Sequence, residues 1–154
     1  MTISKRTVIQ KARYKKRKER AIKTLASYRN PDGTQKETGI ERRMRVLLDS
    51  MGLYYIQEKA FSWKGKTRIF DFYITTGTMS FCIECDGDYW HATAYQEGDQ
   101  KYSELSKLQK KNLRNDKLKN NMMKELGIPL LRFTETDVTR NIDYVKRRIE
   151  LLLS

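Results

Sequence analysis

Acidic residues occur inside one apolar stretch of the sequence and at the end of the next. Asp71 interrupts the run Ile69–Ile74, whose other members are apolar or aromatic. The second group, Glu84, Asp86 and Asp88, follows the next apolar stretch. A carboxylate among large apolar residues costs several kcal/mol unless it is paired or binds a metal. The pattern therefore predicts two neighbouring strand ends that converge on negative charge.

These carboxylates have two explanations. The first is a divalent cation, because clustered acids repel one another and raise each other's pKa unless a cation neutralises them. Hard oxygen ligands without enough nitrogen or sulfur favour Mg²⁺, or Mn²⁺ in its place, over zinc. The second explanation is a set of salt bridges to Arg68, Arg114 or Arg132. The residues alone leave both explanations open.

His91 is the single histidine of the chain, and it follows Tyr89 and Trp90 directly after the second acidic group. An imidazole with an ordinary pKa near 6.5 accepts a proton from water at neutral pH, so His91 is a candidate general base. A purely structural histidine is the alternative.

The two cysteines, Cys82 and Cys85, lie in an apolar segment that is typical of a strand. Two cysteines cannot form a disulfide framework. With a single histidine they do not complete a tetrahedral zinc site either. We therefore expect buried, reduced thiols.

The elements that position these residues are predicted from apolar spacing and turn signals. They form a mixed α/β domain with a three-strand meander. In chain order they are a helix over Lys36–Met51, strands over Tyr54–Phe61, Arg68–Thr75 and Met79–Asp86, a helix over Ser103–Leu126, a strand over Ile128–Phe133 and a helix over Thr139–Leu153.

The net charge of +13 is concentrated near the N-terminus. Residues 1–29 contain 11 Lys and Arg but one acidic residue. Such a density of positive charge suits contact with a phosphate backbone. The segment from about Ser4 to Ser27 contains no Gly or Pro, so it is predicted to be a basic helix. Its candidate nucleic-acid contacts are Lys11, Arg13, Lys15, Lys16, Arg17 and Lys18; the alternative is a solvated tail.

A turn signal at Asn30–Gly33 predicts two parts, a basic arm and linker over 1–33 and a compact domain over 34–154. No apolar run approaches the roughly 20 residues that a membrane span needs, so no membrane contact is expected. The basic N-terminus lacks a following apolar segment, so secretion is not expected. The expected compartment is the cytoplasm.

Four segments together resemble a known nuclease family. They are Asp71–Ile74, Ile83–His91, Lys111–Asp116 and Leu126–Arg132. They resemble the very-short-patch-repair (Vsr-like) branch of the PD-(D/E)XK nuclease superfamily, and the phage-type homing endonucleases with the active-site pattern EDxHD. The resemblance spans Glu41 to Asp137 and implies a restriction-endonuclease-like core.

The resemblance also implies roles for individual residues. Glu41 resembles the helix glutamate that reaches the site, and Asp71 resembles the essential metal-binding aspartate. His91 resembles the catalytic histidine, and Asp116 the last acid of the pattern. The family residue at the position of Cys85 offers its main-chain carbonyl to the metal.

Three departures limit the match. Asp86 stands where the general PD-(D/E)XK pattern has a lysine, two residues after Glu84, so a lysine-based mechanism is not implied. The structural zinc ligands of the repair enzymes are absent from the sequence, and those enzymes have a histidine at the position of Asp86. An EDxHD-type or generic phage-like nuclease therefore fits better than a mismatch-repair enzyme.

The resemblance implies a metal-dependent endonuclease that nicks or cuts double-stranded DNA. Mg²⁺ would be held by Asp71, Glu84 and the Cys85 carbonyl, while His91, oriented by Asp86 or Asp116, activates water. Small nucleases of this kind often cut both strands as dimers, so a homodimer is a candidate assembly. Further candidate contacts to DNA are Arg68, Trp90, Lys111, Arg114 and Lys117.

Two other functions remain open. One is a non-catalytic nucleic-acid-binding or regulatory protein that keeps the nuclease fold. The other is an RNA-cleaving enzyme with the same fold. The simultaneous presence of Glu41, Asp71, Glu84, His91 and Asp116 favours the DNA endonuclease, because a decayed site would be expected to lose at least one of them.

Overall fold

A computed structural model describes Pro31 and residues 36–154. The predicted basic arm lies outside the described residues. So do the nucleic-acid contacts that were predicted in that arm, Lys11, Arg13, Lys15, Lys16, Arg17 and Lys18.

The first described helix, α1, spans Gly39–Ser50 and begins three residues later than predicted. Thr38 sets this start, because its hydroxyl accepts a hydrogen bond from the backbone N–H of Glu41. The Glu41 carboxylate in turn accepts from the backbone N–H of Thr38, which completes a capping box. Met44 and Leu48 on the inner face are fully buried.

Three antiparallel strands follow, β1 over Tyr55–Trp63, β2 over Lys66–Thr75 and β3 over Ser80–Asp86. The β1–β2 hairpin is longer than predicted, since Trp63 pairs with Lys66. Only Lys64 and Gly65 form the connection, and both have positive φ, 47° and 71°. Such a two-residue turn matches the twist of the strands and allows pairing up to the tip.

The segment between β3 and the next long helix contains a short helix, α2, over Thr93–Gln96 and a 3-10 turn over Tyr102–Glu104. The long helix, α3, spans Lys107–Leu126. It begins later than the predicted Ser103 because Ser106 and Gln109 form its capping box. Gly127, with φ 68°, ends it as predicted.

Strand β4 spans Leu130–Thr134 and pairs in parallel with β3. The predicted strand began at Ile128, but Pro129 has no N–H to donate to the sheet. Its carbonyl accepts from the N–H of Cys82 instead, at 2.9 Å. The sheet order is β1-β2-β3-β4, and α3 makes the crossover between the parallel strands.

The predicted final helix is two helices, α4 over Glu135–Arg140 and α5 over Ile142–Leu153. The prediction of one helix starting at Thr139 was wrong. Thr134 and Asp137 form a capping box that starts α4 directly after β4. Asn141 then leaves helical geometry, with φ −129° and ψ 42°.

Buried side chains form two clusters. The larger joins α1, the sheet, α4 and α5; its buried members are Met44, Leu48, Phe72, Ile74, Phe81, Ile83, Phe133, Val138, Val145 and Ile149. The smaller joins the sheet to α3 through Phe70, Cys82, Met122 and Met123. Cys82 is buried and Cys85 half-buried, and both are free thiols, as expected.

Residues Thr38–Ser154 form one compact unit. The order of helix, three-strand meander, long helix, strand and two C-terminal helices confirms the mixed α/β prediction. Among the residues described, no helix combines the length and apolar character required to span a membrane.

Candidate active site

Strands β2 and β3 stop pairing with each other at Asp71. Their ladder runs from Phe72 opposite Ile83 to Thr75 opposite Ser80. Beyond it, the N–H of Asp71 donates to Oε1 of Glu84 at 3.3 Å. The N–H of Cys85 donates to Oδ2 of Asp71 at 2.7 Å. Where the β2–β3 ladder ends, the backbone N–H groups of Asp71 and Cys85 therefore donate to carboxylates and not to the opposite strand. These hydrogen bonds hold the side chains of Asp71 and Glu84 at the end of the ladder.

Strand β1 is distorted at the same level. Asp71 and Glu58 stand between two paired positions of the β1–β2 ladder, Gln57 with Phe72 and Lys59 with Phe70. Glu58 has φ 52°, which is strained for a residue with a side chain. On either side of this level, Phe70 and Phe72 belong to the two different core clusters. The acidic position therefore lies opposite the residue of β1 whose backbone leaves extended geometry.

Glu84 has a cationic partner on α3. Its Oε2 lies 2.7 Å from Nζ of Lys119, and the two side chains are 4% and 11% exposed. The same ammonium lies 5.0 Å from the ring centre of Phe70. Lys119 therefore places one positive charge beside Glu84, next to the apolar ring of Phe70.

The surroundings of Asp71 and Glu84 disfavour the ionised forms of their carboxyl groups. Burial raises the pKa of Asp71, and the charges of Glu41 and Asp86 add to this increase, whereas Lys119 opposes it. Burial also raises the pKa of Glu84, followed by the charge of Asp71. Glu41 is thus near enough to act on Asp71 from the first turn of α1. Burial and neighbouring acids thus disfavour the ionised forms of both carboxylates, and a bound cation would favour them.

A second group of side chains surrounds His91. Its Nδ1 lies 2.7 Å from Oδ2 of Asp116 on α3 and 3.5 Å from Oδ1 of Asp86. Arg132 on β4 contacts both acids. Its Nη1 donates to both oxygens of Asp86, at 2.8 and 2.7 Å, and its Nη2 to Oδ1 of Asp116 at 3.3 Å.

The protonation of this pair follows from its electrostatics. Burial opposes ionisation of Asp116, but the hydrogen bond with His91 and the charge of Arg132 outweigh it and lower the pKa of Asp116. As a carboxylate, Asp116 accepts, so Nδ1 of His91 donates. Burial also opposes the charged imidazole, yet Asp116 and Asp86 raise the pKa of His91 above its ordinary 6.5.

The loop before α2 is held by amide side chains. Gln109 donates to the carbonyl of Tyr89 at 2.7 Å, and Asn112 donates to the carbonyl of Trp90 at 2.9 Å. Gln96 donates to the carbonyl of His91 at 2.7 Å. The backbone that carries His91 is therefore fixed on both sides of the imidazole.

Two sets of side chains are candidates for a cation. The predicted set, Asp71 and Glu84 with the Cys85 carbonyl, consists of oxygen ligands, which suits Mg²⁺. Burial raises the pKa of the Cys85 thiol well above its ordinary value, so the sulfur is protonated and a poor ligand.

The other set is Asp86, His91 and Asp116, whose potential ligand atoms lie within 4.8 Å of one another. In the structure the Arg132 guanidinium already contacts both acids of this set. A cation is disfavoured next to a guanidinium because like charges repel. Lys119 opposes a cation at Glu84 in the same way. Asp71 differs from the other acids of the two sets because no ion pair to it occurs among the described residues, so the residues fit a cation better at Asp71 and Glu84.

The predicted nucleic-acid contacts among the described residues lie on α3, on the loop after β3 and on β2. Lys111, Arg114 and Lys117 are exposed and three residues apart, so they share one side of the helix. Trp90 is 53% exposed, and its ring packs edge-on against Tyr89 with centres 4.9 Å apart. Arg68 is half-buried and donates to the carbonyl of Thr67; for its Nε, no partner occurs within the described ranges.

The sequence identified Asp116 but not the rest of the polar face of α3. Gln109, Asn112, Asp116, Lys119 and Asn120 recur at helical spacing and contact the site. Apolar spacing in this helix favours a row of Leu118, Met122 and Leu126, but Leu126 is 41% exposed. The spacing of the polar residues is the signal that could have identified this face.

Comparisons with known proteins give one structural similarity. No protein-family model matches the sequence. No curated protein matches it either. Among solved structures, the chain is similar to the catalytic domain of the homing endonuclease I-Bth0305I, with 23% sequence identity and a TM-score of 0.48; the match covers 74% of this chain and 92% of that one.

Proposed function

We propose that the protein is a metal-dependent endonuclease that hydrolyses phosphodiester bonds in double-stranded DNA, of the Vsr-like or EDxHD homing type. One observation carries the proposal. Asp71 and Glu84 lie where the β2–β3 ladder ends, and Asp86, two residues beyond Glu84, is 3.5 Å from a histidine whose Nδ1 is 2.7 Å from Asp116. Cation-binding oxygens and an oriented imidazole are the two components that metal-assisted hydrolysis needs.

The cation would be held by Asp71, Glu84 and the main-chain carbonyl of Cys85. The donor chemistry favours Mg²⁺, with Mn²⁺ as a substitute. When bound, the cation supplies positive charge that polarises the scissile phosphate and stabilises the leaving oxygen. Glu41 adds negative charge to the site from α1, as its effect on the pKa of Asp71 indicates.

His91 would act as the general base. With Nδ1 bound to Asp116, the imidazole directs Nε2 away from that carboxylate, toward the position of an attacking water. Asp116 stabilises the imidazolium that forms when His91 takes the proton. Asp86, which the sequence analysis also included among the catalytic acids, contributes charge near His91 while Arg132 holds both its oxygens.

DNA would be held by phosphate contacts along α3. Lys111, Arg114 and Lys117 span about 9 Å of helix, and this helix also carries Asp116. The basic arm would extend the phosphate contacts, and the exposed ring of Trp90 would stack on bases. These contacts provide affinity without base specificity.

A specific observation favours the non-catalytic alternative. Glu84 and Asp86 are already paired with Lys119 and Arg132, so part of the acidic charge is satisfied without a cation. In that case the site would be a buried salt-bridge network, and the basic surface would serve binding alone.

Cleavage assays separate these possibilities. Supercoiled and linear duplex DNA and a matched RNA would be incubated with the protein in Mg²⁺, Mn²⁺ or EDTA, and Asp71→Ala and His91→Ala would be compared with wild type. The proposal expects DNA cleavage that needs the cation and is lost in both variants. Nicked or linear products would show whether one strand or both are cut. DNA binding without cleavage in either cation would favour the non-catalytic protein.

A further inference from the structure

Arg132 connects three elements around the imidazole. From β4, its Nη1 contacts both oxygens of Asp86 on β3, and its Nη2 contacts Asp116 on α3. Its Nε donates to Oδ1 of Asn120, also on α3, at 2.9 Å. The side chain is 20% exposed, so these contacts are largely shielded from water. Three nitrogen atoms of one guanidinium are thus engaged in a fixed geometry.

These contacts affect which carboxylate binds Nδ1 of His91. Both Asp86 and Asp116 lie near Nδ1, at 3.5 and 2.7 Å. If Nδ1 turned to Asp86, the direction of Nε2 would change with it. Arg132 engages both oxygens of Asp86 but only Oδ1 of Asp116, which leaves Oδ2 of Asp116 for the imidazole.

We infer that Arg132 is a positioning residue for the reaction: it commits Asp86 to its own guanidinium, fixes Asp116, and so selects the Asp116-bound orientation of His91. This inference rests on the proposed function, because it assigns a base orientation that matters for hydrolysis. Arg132 itself contacts neither the predicted cation ligands nor the imidazole through a hydrogen bond that the structure describes.

Charge gives Arg132 a second effect on the same imidazole. The charged groups facing His91 are Asp86 from β3, Asp116 from α3 and Arg132 from β4. Lys119 acts on Asp116 from the same helix. The two acids favour the protonated imidazole, whereas Arg132 opposes it. Without the guanidinium, two carboxylates would face His91, and it would retain its proton to higher pH.

His91 makes the test direct because it is the single histidine of the chain. The imidazole ¹⁵N signals of the full chain, without DNA or divalent cation, report both its pKa and which nitrogen carries the proton. In wild type we expect the Nδ1–H form. In Arg132→Gln we expect the pKa of His91 to rise by about one pH unit. Arg148→Gln on α5 is the matched control and should leave the signals unchanged.

A conservative variant tests the geometry apart from the charge. Lysine in Arg132→Lys keeps the charge but cannot make the same four contacts. We expect altered Nδ1 and Nε2 shifts with a smaller change in pKa. In cleavage, kcat should fall by about 10- to 100-fold with little change in KM. This variant also decides the question if Arg132→Gln does not fold.

The outcomes are distinguishable from failure of the proposed function. Unchanged imidazole signals in both variants would overturn the inference, whether or not the protein cleaves DNA. Changed signals with no cleavage by wild type would support the positioning of His91 by Arg132 and reject the nuclease. Wild-type kcat in Arg132→Lys, with cleavage established, would also overturn the inference.

Discussion

His91 and Asp116 are 25 residues apart in the chain, and their side chains meet at 2.7 Å. The contact joins a loop after β3 to the middle of α3. Gln109 and Asn112 of the same helix donate to the carbonyls of Tyr89 and Trp90, which ties the loop to α3. The geometry therefore resembles a base and the group that orients it, which is the arrangement that general base catalysis requires.

We expect His91 and Asp116 to act as a unit. His91→Gln should lower kcat by about 100-fold or more, the range for loss of a general base. Asp116→Asn should cause a loss of similar order, because the imidazole loses its orienting carboxylate. The double variant should be little worse than either single variant, since residues that act together are not additive. Single-turnover cleavage measures all three; additive losses would contradict the pairing.

The pH dependence of cleavage should follow His91. Because its pKa is raised above 6.5, and because a general base must be deprotonated, kcat should rise with pH through an inflection above 6.5 and then level off. Asp116→Asn removes the hydrogen bond that raises this pKa, so its inflection should move to lower pH. Initial rates between pH 5.5 and 9 at saturating Mg²⁺ check this. The same inflection in both proteins would assign the titration to another group.

The residues of the candidate site differ in how well the sequence predicts them. Asp71, Glu84 and His91 could be singled out because of their residue types and neighbouring apolar stretches, and Asp116 because of the family resemblance. Lys119 could not be selected, because several lysines lie on α3 and only the rotation of the helix decides which one turns inward. The polar face of α3 was missed for the same reason. The helix carries both apolar and polar rows, and the sequence does not show which row turns toward the site.

The missed break at Asn141 has a local cause. Apolar spacing continues from Val138 to Val145 and on to Ile149, and all three are buried. Periodicity alone therefore favours one helix. The capping box at Thr134 and Asp137 moves the helix start toward β4, and the chain then turns at Asn141. Such a turn depends on packing beneath the sheet, which a single sequence does not display.

A cation at Asp71 should be visible in stability. Mg²⁺ at about 100 times its Kd would stabilise wild type by about 2.7 kcal/mol and raise its thermal unfolding midpoint. Asp71→Asn should lose this increase. In EDTA its midpoint should equal or exceed that of wild type, because burial already disfavours the charged carboxylate. Asp143→Asn on α5 is the control, and should respond to Mg²⁺ as wild type does. Equal Mg²⁺ responses in all three proteins would place the cation elsewhere.

Lys119 and Glu84 should be energetically coupled. Lys119→Met leaves a buried carboxylate without its cation, so the free energy of unfolding in EDTA should fall by about 3 kcal/mol. Adding Glu84→Gln removes the uncompensated charge and should restore most of that loss. Urea unfolding of the two single variants and the double variant gives the coupling energy. Lys117→Met, an exposed neighbour, should change stability by less than about 0.5 kcal/mol. Additive effects would show that the 2.7 Å contact contributes no coupling.

The basic side of α3 should determine part of the salt dependence of DNA binding. Each phosphate contact contributes about 0.9 to the slope of log K against log salt concentration. Replacing Lys111, Arg114 and Lys117 by Gln should therefore reduce the slope by about 2 to 3 if each contacts one phosphate. The matched control replaces Arg140, Arg147 and Arg148, exposed on α4 and α5, and removes the same charge. Fluorescence anisotropy between 50 and 300 mM salt, with Mg²⁺ omitted, measures both. An equal decrease in the two triple variants would mean that net charge, and not the α3 surface, sets the affinity.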